Sequence, residues 1–255
     1  MSFRHLDQFA QVSSPITALA PALRVLGTVV VALGAATLRL GAWPQLATLA
    51  GLVLVLAAVA RIPLRTLLLR MLGPLVFVLF ASVALLFLVP GEVVARVWWI
   101  DLTDNGLLRF GSALGRAFTA LAAAVILVST TTFPEIVQAL RELRLPHAVT
   151  TALGLAYRFL YVIVDELERL QRAARSRNAG AGAAKRRRLL VSVVAAVLRR
   201  ALVRSERTHR AMLARGFHGE IISLHRSRVD ARSIMLLALL GLVVGAVTLS
   251  SYLAR

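Results

Sequence analysis

The tripeptide Ala-Arg-small closes two charged runs, as Ala174-Arg175-Ser176 within "QRAARSRNAG" and as Ala214-Arg215-Gly216 within "AMLARGFHGE", while a third copy, Ala231-Arg232-Ser233, instead opens the last apolar stretch. The planar guanidinium of arginine presents five N–H donors in a fixed fork and does not deprotonate, so it can grip carboxylates or carbonyls in a groove. A small residue beside it lets a partner backbone come close. The bland alternative is a pair of solvated arginines at helix carboxyl ends, where the helix dipole favours a cation.

Other reactive constellations are missing. The chain has no cysteine, which excludes a disulfide framework, a thiolate metal site and a cysteine nucleophile. The histidines, His5, His147, His209, His218 and His225, show neither H-x-x-x-H nor H-E-x-x-H spacing on a common helix. His218 and His225 beside Glu220 read more simply as a solvated loop than as metal ligands. The stretch "GAGAAKRR" falls short of the phosphate loop G-x-x-x-x-G-K-[ST], because it carries Ala184 before Lys185 and Arg186 after it. No catalytic residue, metal site or bound cofactor is expected.

The elements that must position the two arginines are hydrophobic. Of 255 residues 58% are apolar and 16% charged, a membrane-protein composition. About 20 apolar residues cross a bilayer, and about five stretches qualify: roughly 22–40, 43–60, 71–90, 110–133 and 233–254. Arg24 and Arg39 bracket the first and are expected to snorkel from its ends, whereas Arg116 falls inside the fourth and is placed near the outer interface. No span has an acidic residue at its middle, so an ion path through this chain is unsupported. The opening "MSFRHLDQFAQVSS" contains Asp7 and lacks an apolar core, unlike a signal peptide.

Orientation follows from the bias of Lys and Arg toward cytoplasmic loops. "RIPLRTLLLR" carries Arg61, Arg65 and Arg70, whereas "GEVVARVWWIDLTDN" has Arg96 against Glu92, Asp101 and Asp104, with Trp98 and Trp99 suited to an interfacial belt. The amino terminus is expected in the cytoplasm. The chain then divides into a four-span region, 1–133, a cytoplasmic helical region, 134–232, and a final span, 233–255. The middle region holds 20 Lys and Arg against 8 Asp and Glu, so the formal net charge of +18 is mostly positive-inside charge and needs no nucleic acid.

Three helices are expected there. One begins near Pro134, with Ile136, Leu140 and Leu143 on one face, and stops before Pro146. The second, about 147–177, turns from apolar to charged, with Asp165 four residues before Arg169 and Glu168 four before Arg172. The third, near 186–215, carries a stripe of Leu190, Val194, Val197 and Ala201, and ends at Gly216.

Four segments carry a resemblance to a known family: "LDQFAQVSSPITALAPALRVL" at 6–26, "TTFPEIVQALRELRLP" at 131–146, "YRFLYVIVDELERLQRAARSR" at 157–177 and "AMLARGFHGE" at 211–220. They resemble the transmembrane T component of energy-coupling factor (ECF) transporters, most closely the CbiQ-type subunit of cobalt uptake systems. The resemblance implies an all-α membrane protein whose cytoplasmic coupling helices lie between the fourth and fifth spans. It also implies a non-catalytic subunit of the bacterial plasma membrane, with ATP bound by partner subunits. Its partners would be two ATP-binding cassette subunits, a CbiM-like substrate-binding membrane subunit and a small accessory membrane subunit. Carried over, Ala174, Arg175 and Ser176 form one ATPase-docking motif and Ala214, Arg215 and Gly216 the other, with Ser176 standing where glycine is common. Nickel or a vitamin such as biotin or riboflavin is the near alternative to cobalt. A membrane insertase or ribosome-docking protein is the distant one.

Overall fold

The computed structural model describes residues 16–17, 19–88, 93–97, 100–177, 182–219 and 231–253. Along them run the helices α1 (Pro21–Thr37), α2 (Trp43–Val59), α3 (Leu64–Leu88), α4 (Asp104–Thr130), α5 (Phe133–Glu142), α6 (His147–Arg177), α7 (Ala183–Ala214) and α8 (Ala231–Leu253). The all-α expectation holds. The one addition among the described residues is a short antiparallel ribbon, β1 (Val93–Val97) and β2 (Ile100–Thr103), which sets Arg96 opposite Asp101 and Val97 opposite Ile100. Trp98 and Trp99, expected in an aromatic belt, lie outside the described residues. Contacts divide the chain into two compact units, Leu140–Arg226 and Ser2–Ala139 with Ser227–Arg255.

The spans differ from expectation in two ways. α1 and α2 are helices of 17 residues each, short of a full crossing, because the chain turns through Gly41 (φ +82) after α1 and through Arg61 (φ +54) and Pro63 after α2. α3 begins at Leu64 and so absorbs Arg65 and Arg70, which were expected in a loop, since nothing after Pro63 breaks the helix and Pro74 is accommodated inside it. Among the described residues four helical stretches are long and apolar enough to cross a membrane: Leu64–Leu86, Asp104–Thr130, His147–Arg177 and Ser233–Leu253. The third is α6, expected to be wholly cytoplasmic. Its first half supplies the apolar length.

In the unit that contains α1 to α4 and α8, the core is built from small and branched residues, among them Val31, Ala35, Leu49, Val53, Ala57, Met71, Ala123, Ile126 and Val244. Side chains on the outer faces are large and apolar, with Phe77 75% and Phe80 81% exposed on α3, as lipid contact requires. Little hydrophobic drive brings helices together inside lipid, so close approach through small residues matters more. A Cβ built on Gly34 of α1 would lie 2.2 Å from Val244 Cγ1 of α8, and one on Gly111 of α4 would lie 2.5 Å from the Trp43 ring of α2. These glycines let the helices touch.

Arg24 corrects an expectation. It does not snorkel but is 8% exposed, with Nη1 donating to the Thr130 carbonyl at 2.7 Å, Nη2 to the Thr17 carbonyl at 2.6 Å and Nε to the Leu19 carbonyl at 2.9 Å. Thr130 ends α4 with a carbonyl that has no partner inside its own helix, and a buried guanidinium fills that need better than water could. On α3, Arg70 Nη1 likewise donates to Ser129 Oγ of α4. Both arginines fasten the carboxyl end of α4.

Candidate partner-docking site

The unit Leu140–Arg226 contains both Ala-Arg-small motifs. Its frame is the pair α6 and α7. Val193 and Val197 are buried on α7, so Val197 of the expected stripe is enclosed, while Leu190 and Val194 of that stripe are 49% and 60% exposed. The buried face therefore keeps Val197 and takes in Val193 in place of Val194. An apolar row Leu190, Val194, Leu198 and Leu202 is left open to the surroundings.

The direction of the pair follows from polar contacts. Glu166 of α6 accepts from Arg200 Nη1 at 3.0 Å and Arg204 Nη2 at 3.5 Å, and Thr151 Oγ1 donates to the Gly219 carbonyl at 3.4 Å. An early α6 residue thus meets the chain just past α7, and a later α6 residue meets the middle of α7. The helices are antiparallel. Arg175 and Arg215 consequently sit at opposite ends of the pair, separated by about 22 residues of helical rise, or ~33 Å.

The two motifs have different local structures. Ala174, Arg175 and Ser176 belong to the last turn of α6, where the Ser176 hydroxyl donates to the Arg172 carbonyl at 3.0 Å and Arg175 and Ser176 are exposed. Ala214 ends α7, Arg215 is its C-cap, and Gly216 follows with φ +80. The Gly216 N–H donates to the Leu213 carbonyl and the Phe217 N–H to the Met212 carbonyl, both at 3.0 Å, which is the Schellman arrangement. Half-buried Phe217 and Met212 supply its usual apolar contact. Glycine at 216 is thus set by the backbone. Position 176 is ordinary helix, which serine fits without strain.

Similar turns close α2 and α5. The Ile62 N–H donates to the Ala57 carbonyl and the Leu145 N–H to the Leu140 carbonyl, with Arg61 (φ +54) and Arg144 (φ +63) in the left-handed position. Each is followed, after one apolar residue, by proline, Pro63 or Pro146. α5 therefore stops at Glu142, and its buried residues are Val137 and Ala139, while Ile136, Leu140 and Leu143 of the expected face are half-buried.

Among the described residues no hydrogen bond or ion pair holds the guanidinium of Arg175 or Arg215. Neighbouring arginines are engaged: Arg172 with Glu168 at 3.8 Å, Arg210 with Glu206 at 3.3 Å, and Arg200 and Arg204 with Glu166. Of the two ion pairs expected along α6, Glu168 to Arg172 forms, but Arg169 donates to the Asp165 backbone carbonyl at 3.3 Å instead of its carboxylate. Arg199 is also exposed and unengaged, so freedom alone does not mark a docking residue. What sets Arg175 and Arg215 apart from Arg199 is their place at helix ends. No group of three or more potential metal ligands occurs among the described residues.

The family model for the cobalt transport protein CbiQ matches residues 13–228, a span that includes both motifs. The chain belongs to the CbiQ family. Among relatives, the "Energy-coupling factor transporter transmembrane protein EcfT" of Heliobacterium modesticaldum is 30% identical over 230 residues, 84% of each chain. The "Cobalt transport protein CbiQ" of Rhodobacter capsulatus is 31% identical over 172 residues, 64% of each chain. That of Salmonella typhimurium is 28% identical over 107 residues, 39% of this chain and 48% of the relative. As in other CbiQ-family proteins the chemistry is to be sought in contacts with neighbours in a membrane transporter complex.

Proposed function

We propose that this CbiQ-family chain is the non-catalytic coupling subunit of an ECF-type importer in the bacterial plasma membrane, with cobalt as the transported ion. One observation carries the reading: two exposed helix-end arginines at opposite ends of an antiparallel pair, spaced by ~33 Å of helical rise. That spacing suits two separate partner subunits better than one. Each guanidinium would enter a groove on one ATP-binding cassette subunit, and α6 and α7 would carry the motion of the two ATPases as a connected lever. The exposed row Leu190, Val194, Leu198 and Leu202 supports a second contact, with an apolar surface of the substrate-binding membrane subunit. The amino terminus and the helix pair would then lie in the cytoplasm.

The substrate would be held by that neighbouring subunit. Co-expression with the ATP-binding cassette and substrate-binding subunits of an ECF-type importer from the source organism tests the reading. Affinity capture of this chain should bring down both, and cells carrying the set should accumulate radiolabelled cobalt in an ATP-dependent manner. Capture of neither partner, or saturable ATPase activity in this chain purified alone, would overturn the coupling role. Uptake of nickel or a vitamin in place of cobalt would overturn only the substrate.

A further inference from the structure

Arg39 and Arg116 line a single notch together with Leu38, Ala42, Trp43, Leu46 and Ser112, in the unit built from α1 to α4 and α8. Among the described residues no acidic side chain lines it. Arg116 is half-buried on α4, and its Nη2 is enclosed without a hydrogen-bond partner, whereas Arg39 is exposed at the rim. Two like charges converge here with nothing of opposite sign among the described residues that line the notch. A guanidinium nitrogen enclosed without an acceptor is costly, most of all in a low-dielectric setting, so the geometry asks for an anion.

Depth decides which anion. Arg24 ties α1 to the Thr130 end of α4, and Arg116 lies 14 residues back along α4, about 21 Å from that end. The α1–α2 hairpin turns at the same level, where the Gly41 N–H donates to Ser112 Oγ at 3.3 Å. With 17 residues each, α1 and α2 reach only about 25 Å, less than the ~30 Å hydrocarbon core of a bilayer. α3 and α4, at 25 and 27 residues, continue past them. The notch is thus a cationic recess at the low rim of the helix bundle, where lipid headgroups must dip toward the protein. Its volume of ≈ 10 Å³ admits about one oxygen atom.

We infer that Arg39 and Arg116 bind the phosphate of an anionic phospholipid, one phosphate oxygen entering the notch and the acyl chains lying against α2 and α4. This assignment is independent of the ATPase-docking reading, because it concerns a different unit and the end of the bundle away from the Arg61 turn and the start of α3. The lipid supplies the acceptor that Arg116 Nη2 lacks, and Trp43, 46% exposed, provides an amphipathic ring at headgroup level.

The test uses the full chain in a non-ionic detergent, stripped of lipid, with thermal unfolding as the readout. Phosphatidylglycerol should raise the midpoint, while a diacylglycerol of the same chains, which lacks the phosphate, should not. Arg116→Gln and Arg39→Gln should each need at least about tenfold more phosphatidylglycerol for the same rise, as expected for loss of a charge-assisted contact. Should Arg116→Gln fail to fold, the exposed Arg39→Gln decides alone. Equal protection of the wild type and Arg39→Gln, equal protection by diacylglycerol, or protection by inorganic phosphate but not by the lipid overturns the assignment.

Discussion

Arg24 of α1 reaches Glu135 of α5 at 3.5 Å, and the same carboxylate oxygen accepts the Thr132 N–H at 2.8 Å, so one arginine joins the end of α4 to the start of α5. Glu135 acts there as the returning half of a capping box. Replacing Arg24 by Met strands the buried Thr130 carbonyl, and the loss of charged hydrogen bonds should cost about 2–4 kcal/mol. Glu135→Gln keeps an oxygen for the Thr132 amide, and with the carboxylate 38% exposed it should cost less than ~1 kcal/mol. Thermal unfolding of the two variants in detergent checks the ranking. An Arg24→Met protein as stable as the wild type would mean that the network is ornamental.

The helix-end turns make opposite predictions at 216 and 144. Gly216→Ala forces a Cβ into the left-handed region at φ +80 and should destabilise the α7 cap by about 1–2 kcal/mol. Hydrogen exchange of the Phe217 amide, which donates to the Met212 carbonyl, should then accelerate by roughly 5–30-fold. Arg144→Gly relieves the same strain at φ +63 and should stabilise the α5 turn by about 0.5–1 kcal/mol after the entropy of glycine is counted. Unchanged exchange at Phe217 would show that another contact holds the cap.

Helix existence was legible in the sequence because the apolar runs are long and the breakers are strong: Pro63 and Pro146 each stand between two helices, immediately before α3 and α6. The carboxyl-end position of both motifs was legible for the same reason. Less visible was Arg24, since an arginine near a span end reads as snorkelling unless the carbonyls of another helix are known to converge on it. The glycine contacts were hidden too, because Gly34 meets Val244 across a separation of over 200 residues. The buried face of α7 was legible at Val197 but not at Val193, as apolar residues surround that part of the helix and only the packing selects which of them are enclosed. The ribbon has no strong signal, since "VVARV" and "IDLT" are short and lack a standard turn dipeptide between them.

Sidedness is tested by single cysteines in a chain that naturally has none. Asp104 opens α4 and Ser176 closes α6, and both are exposed, so labelling reports the compartment and not burial. From the arginines of Arg61, Arg65 and Arg70, Asp104→Cys should react with an impermeant thiol reagent on intact cells, while Ser176→Cys should react only after permeabilisation. The opposite pattern would put α6 and α7 outside, beyond the reach of cytoplasmic ATPases.

Charge reversal at the motifs tests docking itself. Removing one partner of a buried, hydrogen-bonded charge pair at an interface costs about 2–5 kcal/mol, and reversing the charge should be no milder. Arg175→Glu and Arg215→Glu should each therefore weaken retention of one ATPase copy, and the double variant should lose both. Because the arginines lie at opposite ends of the helix pair, each single variant should leave a partial complex that hydrolyses ATP poorly and does not transport. The control must be a comparable arginine away from a helix end. Arg204 is unsuitable, because it holds Glu166 at 3.5 Å and its loss would disturb the packing of α6 on α7. Arg199 is exposed, basic and mid-helix, so Arg199→Glu should retain assembly and uptake. Ser176→Gly should also retain both, since position 176 asks only for a small residue. The measurement is capture of the ATPases and substrate uptake at matched membrane levels for every variant. Wild-type assembly in the Arg175 and Arg215 variants, or an Arg199→Glu defect as deep as theirs, would reduce the two motifs to ordinary basic helix ends.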